Sequence, residues 1–243
     1  MALKSYKARG VVLGTLKYGE KGVVVHMLTD VCGRQSYMIQ GVRSSHGRGS
    51  KMAHFQPMFA LDFEGLISSK SELHRMREIH NGILLKSIPF DVRKSTMALF
   101  MAEVLYRLVK ESEPGSELFD FVWASVAALD ALEEGIANFH LWFLANLSRP
   151  LGFSPDNEYS DGAWLDIRDG HYTPHALLPS LALSPENARL LHDMLECDVR
   201  YLGEIGLNRN ERVEFLEAMI KYYSYHLDSI RAVESIRVLS EVF

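Results

Sequence analysis

The chain has 243 residues, of which 47% are hydrophobic and 23% are charged, a composition that excludes an intrinsically disordered protein. It contains no run of eighteen apolar residues and no apolar segment near Met1, so we expect no membrane-spanning helix, no secretory signal and a cytoplasmic location. The net charge of −5 combines two unlike parts: residues 1–94 carry 15 Lys and Arg against 7 Asp and Glu (+8), and residues 95–243 carry 11 against 24 (−13).

The first part of the chain is predicted to fold into short β-strands. Its β-branched and apolar runs are too short for helices and are separated by turns that contain glycine. The predicted strands are residues 8–14, 23–28, 34–40, the segment after Pro57 in which Phe59, Leu61 and Phe63 share one face, and 72–80. Five such strands predict a closed barrel of the OB type, which we assign to residues 1–82.

A basic segment lies between the third and fourth predicted strands. Residues 41–51 contain three glycines and one apolar side chain beside their cations, so this segment is predicted to be an exposed loop. A domain this basic is typical of proteins that bind phosphate backbones, although an ordinary basic domain is the alternative. The candidate nucleic-acid-binding residues are Lys17, Lys21, Arg34, Tyr37, Arg43, Arg48 and Lys51.

Three aromatic residues lie near these cations in the sequence, namely Tyr18, Tyr37 and Phe55. Rings of this kind stack on bases where OB folds hold single strands. Packing in the barrel core is the alternative for Tyr37 and Phe55, and the sequence alone does not place them on the surface.

After Pro89 the pattern becomes helical, because apolar residues recur at the spacing of one helix face. We assign residues 83–243 to a helical domain. Its third helix, from a cap at Asn138 to Pro150, is apolar nearly all round and is predicted to lie at the centre of a bundle. Ser184 and Pro185 are predicted to begin a further helix, and residues 211–227 form a last one.

Residues 153–180 are predicted to form an insert between these helices, since they are acidic and rich in turns. The stretch from Trp164 to Tyr172 predicts a hairpin. Its turn, Asp169-Gly170, is assigned to type I′ because these residues tolerate the positive φ angles that this turn requires.

No motif in the chain indicates catalysis or a metal site. Residues 14–21 lack the lysine that directly follows the second glycine of a phosphate-binding P-loop, and a hairpin between two strands fits them better. His171 and His175 have the spacing of a zinc pair on a helix, but a proline between them argues against one. Cys32 and Cys197 are too few for a disulfide framework or a multi-cysteine metal site. We therefore expect no catalytic residue, no metal and no cofactor.

Short stretches along the chain, each weak by itself, have a specific order and spacing. In the barrel they are Tyr18-Gly19-Glu20, Leu28-Thr29, Gly33, Gly41-Val42-Arg43, Lys51 and Gln56-Pro57. In the helical part they are Phe143-Leu144, Leu151-Gly152-Phe153-Ser154-Pro155, Tyr222-Tyr223, His226-Leu227 and residues 235–239. Together they resemble the RecO family of recombination mediator proteins, and the resemblance covers nearly the entire chain.

This resemblance implies a non-enzymatic role in recombinational DNA repair. It implies binding of single- and double-stranded DNA, annealing of complementary strands, and work with RecR to replace single-stranded DNA-binding protein by RecA. It also implies that the barrel makes much of the DNA contact, that the helical part receives the tail of the single-stranded DNA-binding protein, and that the protein is cytoplasmic and associated with the nucleoid.

One feature departs from the family. Many relatives bind zinc through four cysteines in the insert, whereas residues 153–175 contain none, so zinc is not expected here. We hypothesise that apolar packing holds the insert instead, through Tyr159, Trp164, Leu165, Ile167 and Tyr172.

Two other classes of function compete with DNA binding. An adaptor protein would use the basic barrel to meet an acidic protein partner, and a DNA-binding assay without partners separates that case. A hydrolase would use Asp and His residues of the insert, but the sequence offers no convincing nucleophile or metal site for it.

Overall fold

The chain divides into two units, Met1–Asp130 and Ala131–Phe243. A computed structural model describes residues 4–20, 22–40, 51–67, 73–110, 117–236 and 239. None of the helices in these stretches combines the length and the apolar character that crossing a membrane requires.

The first unit contains a closed barrel of five strands in the order β1-β2-β3-β5-β4. The strands are β1 (Lys4–Tyr18), β2 (Gly22–Thr29), β3 (Gly33–Gln40), β4 (Ala60–Ile67) and β5 (His74–Asn81). Neighbours pair antiparallel, except that β3 and β5 pair parallel. A 3-10 turn, Lys51–Phe55, precedes β4. The predicted five-stranded OB-type barrel is thereby confirmed.

The first strand closes the barrel because it pairs with β2 along one edge and with β4 along the other. A register shift between Val12 and Gly14 bends this long strand. Val12, Val25 and Phe63 lie in the buried core of the barrel, as the alternation of apolar residues predicts.

Two helices complete the first unit: α1 (Val92–Leu108) and α2 (Glu117–Ala131), whose last residue begins the second unit. The Asp91 carboxylate caps α1 by accepting the backbone N–H of Arg93 at 2.8 Å. The guanidinium of Arg9 on β1 lies 5.3 Å from the ring centres of both Phe119 and Trp123 on α2. Contacts thus join both helices to the barrel, and this unit extends beyond the domain 1–82 assigned from the sequence.

The second unit contains, in its described part, the helices α3 (Phe139–Leu147), α4 (Pro185–Glu196) and α5 (Arg209–His226). Every α3 residue except Trp142 is buried, as expected for a central helix. The Ser184 hydroxyl caps α4 by accepting the N–H of Asn187 at 3.4 Å, in agreement with the predicted start. Short 3-10 turns cover Ile136–Asn138, Pro179–Leu181, Val199–Glu204 and Asp228–Ala232.

Asn138 precedes α3 but does not cap it. Its side-chain amide donates hydrogen bonds to the carbonyl oxygens of Leu202 and Ile205, at 3.3 and 2.7 Å. The predicted cap is therefore wrong, because this side chain joins α3 to the turn Val199–Glu204. The helix also ends at Leu147, before the predicted end at Pro150.

The predicted hairpin of the insert is present, but its turn is not type I′. Strand β6 (Trp164–Asp166) pairs with β7 (Tyr172–Thr173) and, on its other edge, with β8 (Ala182–Leu183). Of the residues that connect β6 to β7 only Gly170 has a positive φ, of 74°, whereas a type I′ turn requires two. The N–H of Asp166 instead donates to the carbonyl of His171 and closes a longer connection.

Apolar and aromatic contacts hold this insert together. Leu165 and Ile167 are 0% and 2% exposed. The ring of Tyr159 meets Tyr172 edge-on at 5.3 Å and stacks on His192 of α4 at 4.4 Å. These contacts agree with the hypothesis of a packed apolar cluster, in which Trp164 is half-buried.

An ion pair ties the hairpin connection to the start of the insert, where His171 Nδ1 lies 2.6 Å from Asp156 Oδ2. The Asp156 carboxylate, helped by Asp169, raises the pKa of His171 above its ordinary value of 6.5. The stabilising effect of the pair is therefore complete below the unfolded-state pKa and is lost as the pH rises through the folded-state pKa. We expect NMR titration to give a His171 pKa above 6.5 that falls in Asp156→Asn, and an unchanged pKa in that variant contradicts the pairing.

Candidate nucleic-acid interface

The outer face of the barrel carries a row of side chains from neighbouring strands. Strand register places Leu16, Val24, Met38 and Arg75 side by side across β1, β2, β3 and β5, and Arg75 then pairs with Leu66 on β4. Their sequence neighbours Val23, Tyr37 and Ile39 belong to the core, so these residues face outward. Both Leu16 and Arg75 are exposed.

The hairpin between β1 and β2 ends this face. Lys17 is exposed and the Tyr18 side chain is 54% exposed. Gly19 has a φ of 62°, which forms the turn at little cost because glycine has no Cβ. Register pairs Gly22 with Gln40, the last described residue before the basic segment.

A groove opens between β3 and β5, which pair only at Tyr37 with His74 and at Met38 with Arg75. Its volume is about 480 Å³. Apolar side chains line it, including Ile39, Phe55, Met76 and Ile79, and polar ones include Gln40, His54, Arg75 and Glu78. Gln40 precedes the basic segment 41–51 in the sequence, and His54 follows it by three residues.

Several cations of the first unit are already paired with protein groups. Three of the described arginines form ion pairs: Arg9 with Asp30 at 3.2 Å, Arg93 with Asp91 at 3.1 Å and Arg77 with Glu64 at 2.8 Å. The Lys94 ammonium donates hydrogen bonds to Ser87 Oγ and to the Asp130 carbonyl, at 2.8 Å each. Arg77 lowers the pKa of the Glu64 carboxyl to about 2, so that pair stays ionised at neutral pH. The count of 15 lysines and arginines in residues 1–94 therefore overstates how many cations lack an acidic neighbour, whereas the net charge of +8 already subtracts those acids.

Arg75 stands apart from these cations. It is exposed at the rim of the groove, and within the described stretches no carboxylate forms an ion pair with it. Lys17 on the hairpin is also exposed, and no described carboxylate forms an ion pair with it. An unpaired guanidinium on a groove wall has the chemistry and the position to hold a phosphate.

Tyr37, predicted to stack on bases, is wholly buried in the barrel core. Its hydroxyl lies 2.9 Å from that of Tyr6, which is in turn 3.1 Å from His74 Nδ1. Burial raises the pKa of both tyrosines and lowers that of His74. The structure corrects the prediction, because Tyr37 packs edge-on against Phe63 at 5.1 Å and is shielded from any ligand on the surface.

Arg34, also predicted to contact nucleic acid, is bound to α1 instead. Its guanidinium donates to the carbonyl of Tyr106 at 3.0 Å and to that of Val109, and it lies 4.6 Å from the Tyr106 ring centre. These carbonyls end the helix, where a cation is favourable. This arrangement favours a structural role for Arg34.

The other predicted residues divide into two groups. Lys17 is exposed at the hairpin, as expected of a phosphate contact. Lys21, Arg43 and Arg48 lie outside the described residues, and Lys51 begins the 3-10 turn with its side chain undescribed. Their role stays a prediction.

The sequence-based prediction missed Arg75. The alternation His74-Arg75-Met76-Arg77 puts both arginines on one face of β5, a pattern that was open to recognition. The pattern did not show the difference between them, since only the fold brings Glu64 to Arg77 and leaves Arg75 without an ion pair among the described residues.

Comparisons with known proteins cover the chain from end to end. Residues 1–90 match the family model described as recombination protein O N terminal, and residues 89–232 match the one described as recombination protein O C terminal. The chain is 32% identical to the DNA repair protein RecO of Flavobacterium psychrophilum and 34% identical to that of Bacteroides fragilis. Each alignment covers 98% of this chain and 98% of the relative. The DNA repair protein RecO of Porphyromonas gingivalis is 28% identical over 97% of this chain and 98% of its own.

Proposed function

This chain belongs to the recombination protein O family, and on that premise we propose that it is a DNA-binding mediator of recombinational DNA repair. It binds single- and double-stranded DNA, anneals complementary strands, and helps RecR load RecA onto strands covered by single-stranded DNA-binding protein. The observation that carries the proposal is the outer barrel face, where Lys17, Tyr18 and Arg75 are exposed and no described carboxylate forms an ion pair with either cation.

The proposed mechanism is electrostatic capture without covalent chemistry. Lys17, Arg75 and the cations of residues 41–51 neutralise phosphates and release counterions, which supplies affinity that does not depend on sequence. Tyr18 offers a ring on which a base stacks. Strands held through their backbones keep base edges accessible, so two complementary strands pair while bound. The proposed role is therefore not enzymatic.

We assign the protein partners to the acidic remainder of the chain. Residues 95–243 carry a net charge of −13, which disfavours contact with DNA over much of their surface. RecR and the tail of single-stranded DNA-binding protein are the proposed partners there, and RecA is engaged indirectly.

The basic segment provides the main test. Replacing Arg43, Arg48 and Lys51 together with Ala is expected to weaken binding to all DNA sequences alike and to lower the slope of log affinity against log salt by about 2 to 3. Fluorescence anisotropy over a series of salt concentrations measures this slope. A matched control removes three exposed arginines of the second unit, Arg189, Arg200 and Arg231. An equal slope in wild type and the triple variant excludes the segment from the interface.

The two tyrosines give a paired prediction. Tyr18→Ala is expected to weaken single-strand binding by about 1–3 kcal/mol with stability unchanged, because the exposed ring stacks on a base. Tyr37→Phe is expected to lower the free energy of unfolding by about 1 kcal/mol, through loss of the hydrogen bond to Tyr6, with DNA affinity unchanged. Fluorescence anisotropy measures the DNA affinity, and urea unfolding measures the free energy of unfolding. A loss of stability in Tyr18→Ala together with a loss of DNA affinity in Tyr37→Phe contradicts the placement of these residues.

The alternative function is a protein adaptor whose basic barrel binds an acidic protein partner. A direct assay separates the two, since purified protein without partners binds DNA in a salt-dependent manner only under the main proposal. Absence of binding at low salt favours the adaptor.

A further inference from the structure

Phosphate contacts do not explain the groove between β3 and β5. A phosphate needs only an exposed cation, whereas this groove has a volume of about 480 Å³, within the range of pockets that enclose small ligands. Ile39 and Phe55 of its lining are buried core residues, and Met76 and Ile79 pack against the same core. The groove thus offers a flat apolar ligand an apolar wall supported by the barrel.

Within the described part of the chain, three charged residues line the groove, namely Arg75, Arg77 and Glu78, and Arg77 is paired with Glu64. The other two complement the remaining parts of a nucleotide. Arg75 is exposed, and among the described residues no carboxylate pairs with it. Glu78 lines the groove at a point where the register of β5 against β4 shifts and has a φ of 51°, so a β-bulge places it there. A guanidinium suits a phosphate, and a carboxylate accepts hydrogen bonds from the amino group of a base.

We propose that this groove seats one unstacked base of a single-stranded DNA, with Arg75 on the adjoining phosphate and Glu78 toward the amino edge of the base. The inference rests on the proposed function and goes beyond it, because it gives the barrel a means to distinguish a single strand from a duplex. Bases of a duplex are stacked and paired, so only a single strand places a base in the groove without the cost of unpairing.

The experiment compares a short deoxycytidine strand with an abasic strand of the same length, since both carry the same phosphates. The Tyr18→Ala variant, which lacks the exposed stacking ring, is expected to bind the strand with bases roughly 5- to 150-fold more tightly, the range that stacking of one base gives. The salt slopes for the two strands are expected to agree, because the number of phosphate contacts does not change.

Two tryptophan variants locate the effect. Added to Tyr18→Ala, Leu66→Trp fills the groove and is expected to remove most of the remaining preference for bases, with affinity for the abasic strand retained. Added to Tyr18→Ala, Val31→Trp places the same ring at an exposed position of the turn between β2 and β3, outside the groove lining, and is the matched control that keeps the preference. A base that lies elsewhere on the surface is displaced by neither ring, so only seating in the groove predicts opposite results.

A measurement on the wild-type protein makes the test independent of variant folding. A single 2-aminopurine in the strand is expected to be protected from acrylamide quenching when bound. Equal affinity for both strands, equal effects of the two tryptophans, or an unprotected 2-aminopurine overturns the groove assignment while DNA binding stands. Binding of neither strand overturns the proposed function itself and this inference with it.

Discussion

Gly135→Ala is expected to destabilise the protein by roughly 3 kcal/mol or more, because it combines backbone strain with a clash that no side chain can relieve. Gly135 has a φ of 73°, in the left-handed region. A Cβ added there lies 2.4 Å from the backbone nitrogen of Gly203 and 2.6 Å from the carbonyl carbon of Leu202. The turn Val199–Glu204 must move, which disrupts the hydrogen bonds that Asn138 donates to it and to Ile205.

Gly152→Ala is the matched control for this variant. Its φ of 82° imposes the same kind of strain, but an added Cβ meets nothing within 4 Å. We expect it to cost about 1 kcal/mol, the penalty of a left-handed residue alone. Urea unfolding followed by circular dichroism gives both values. Equal losses in the two variants contradict the close approach of Gly135 to the Val199–Glu204 turn.

Asp130→Ala is expected to cost about 3–4 kcal/mol, because three backbone N–H groups lose a charged acceptor together. The carboxylate accepts hydrogen bonds from the backbone of Lys86, Ser87 and Ile88 at 2.8 to 2.9 Å. The Asp130 carbonyl also accepts from Lys94 of α1 at 2.8 Å. This residue therefore joins α2 to the segment that leads from the barrel into α1.

The pH dependence of stability follows from the same contacts. Burial opposes ionisation of Asp130, but the hydrogen bonds from Ile88, Lys86 and Ser87 outweigh it and hold the pKa below its ordinary value of 3.8. The contribution is complete above the unfolded-state pKa and is lost as the pH falls through the folded-state pKa. Asp120→Ala, an exposed position on α2, is the control. The difference in unfolding free energy between the two variants should shrink from pH 7 to pH 3, and a constant difference contradicts this account.

The proposed interface was found from the sequence only in part. β-branched runs predicted the first two strands, and the glycine-rich basic segment was visible in composition. The sequence placed Lys17 and Tyr18 in the connection of residues 14–21, whereas strand β1 extends to Tyr18. Tyr37 shows the limit of such patterns. A tyrosine that alternates with polar residues on a strand points to one face of the sheet, but the sequence does not say which face is inside the barrel. Burial of its ring, and its hydroxyl contact with Tyr6, were decided by barrel closure.

By itself the sequence determined the five-stranded barrel, the helices that follow it and membership of the recombination protein O family, since strand and helix periods and short motifs are local properties. Only the tertiary structure decided which cations remain available. Arg34 and Arg77 are held by Tyr106, Val109 and Glu64, residues distant in the chain, whereas Arg75 is left unpaired among the described residues. A charge count registers each arginine equally. The group that pairs with an arginine depends on strand register and helix packing, which bring distant residues together.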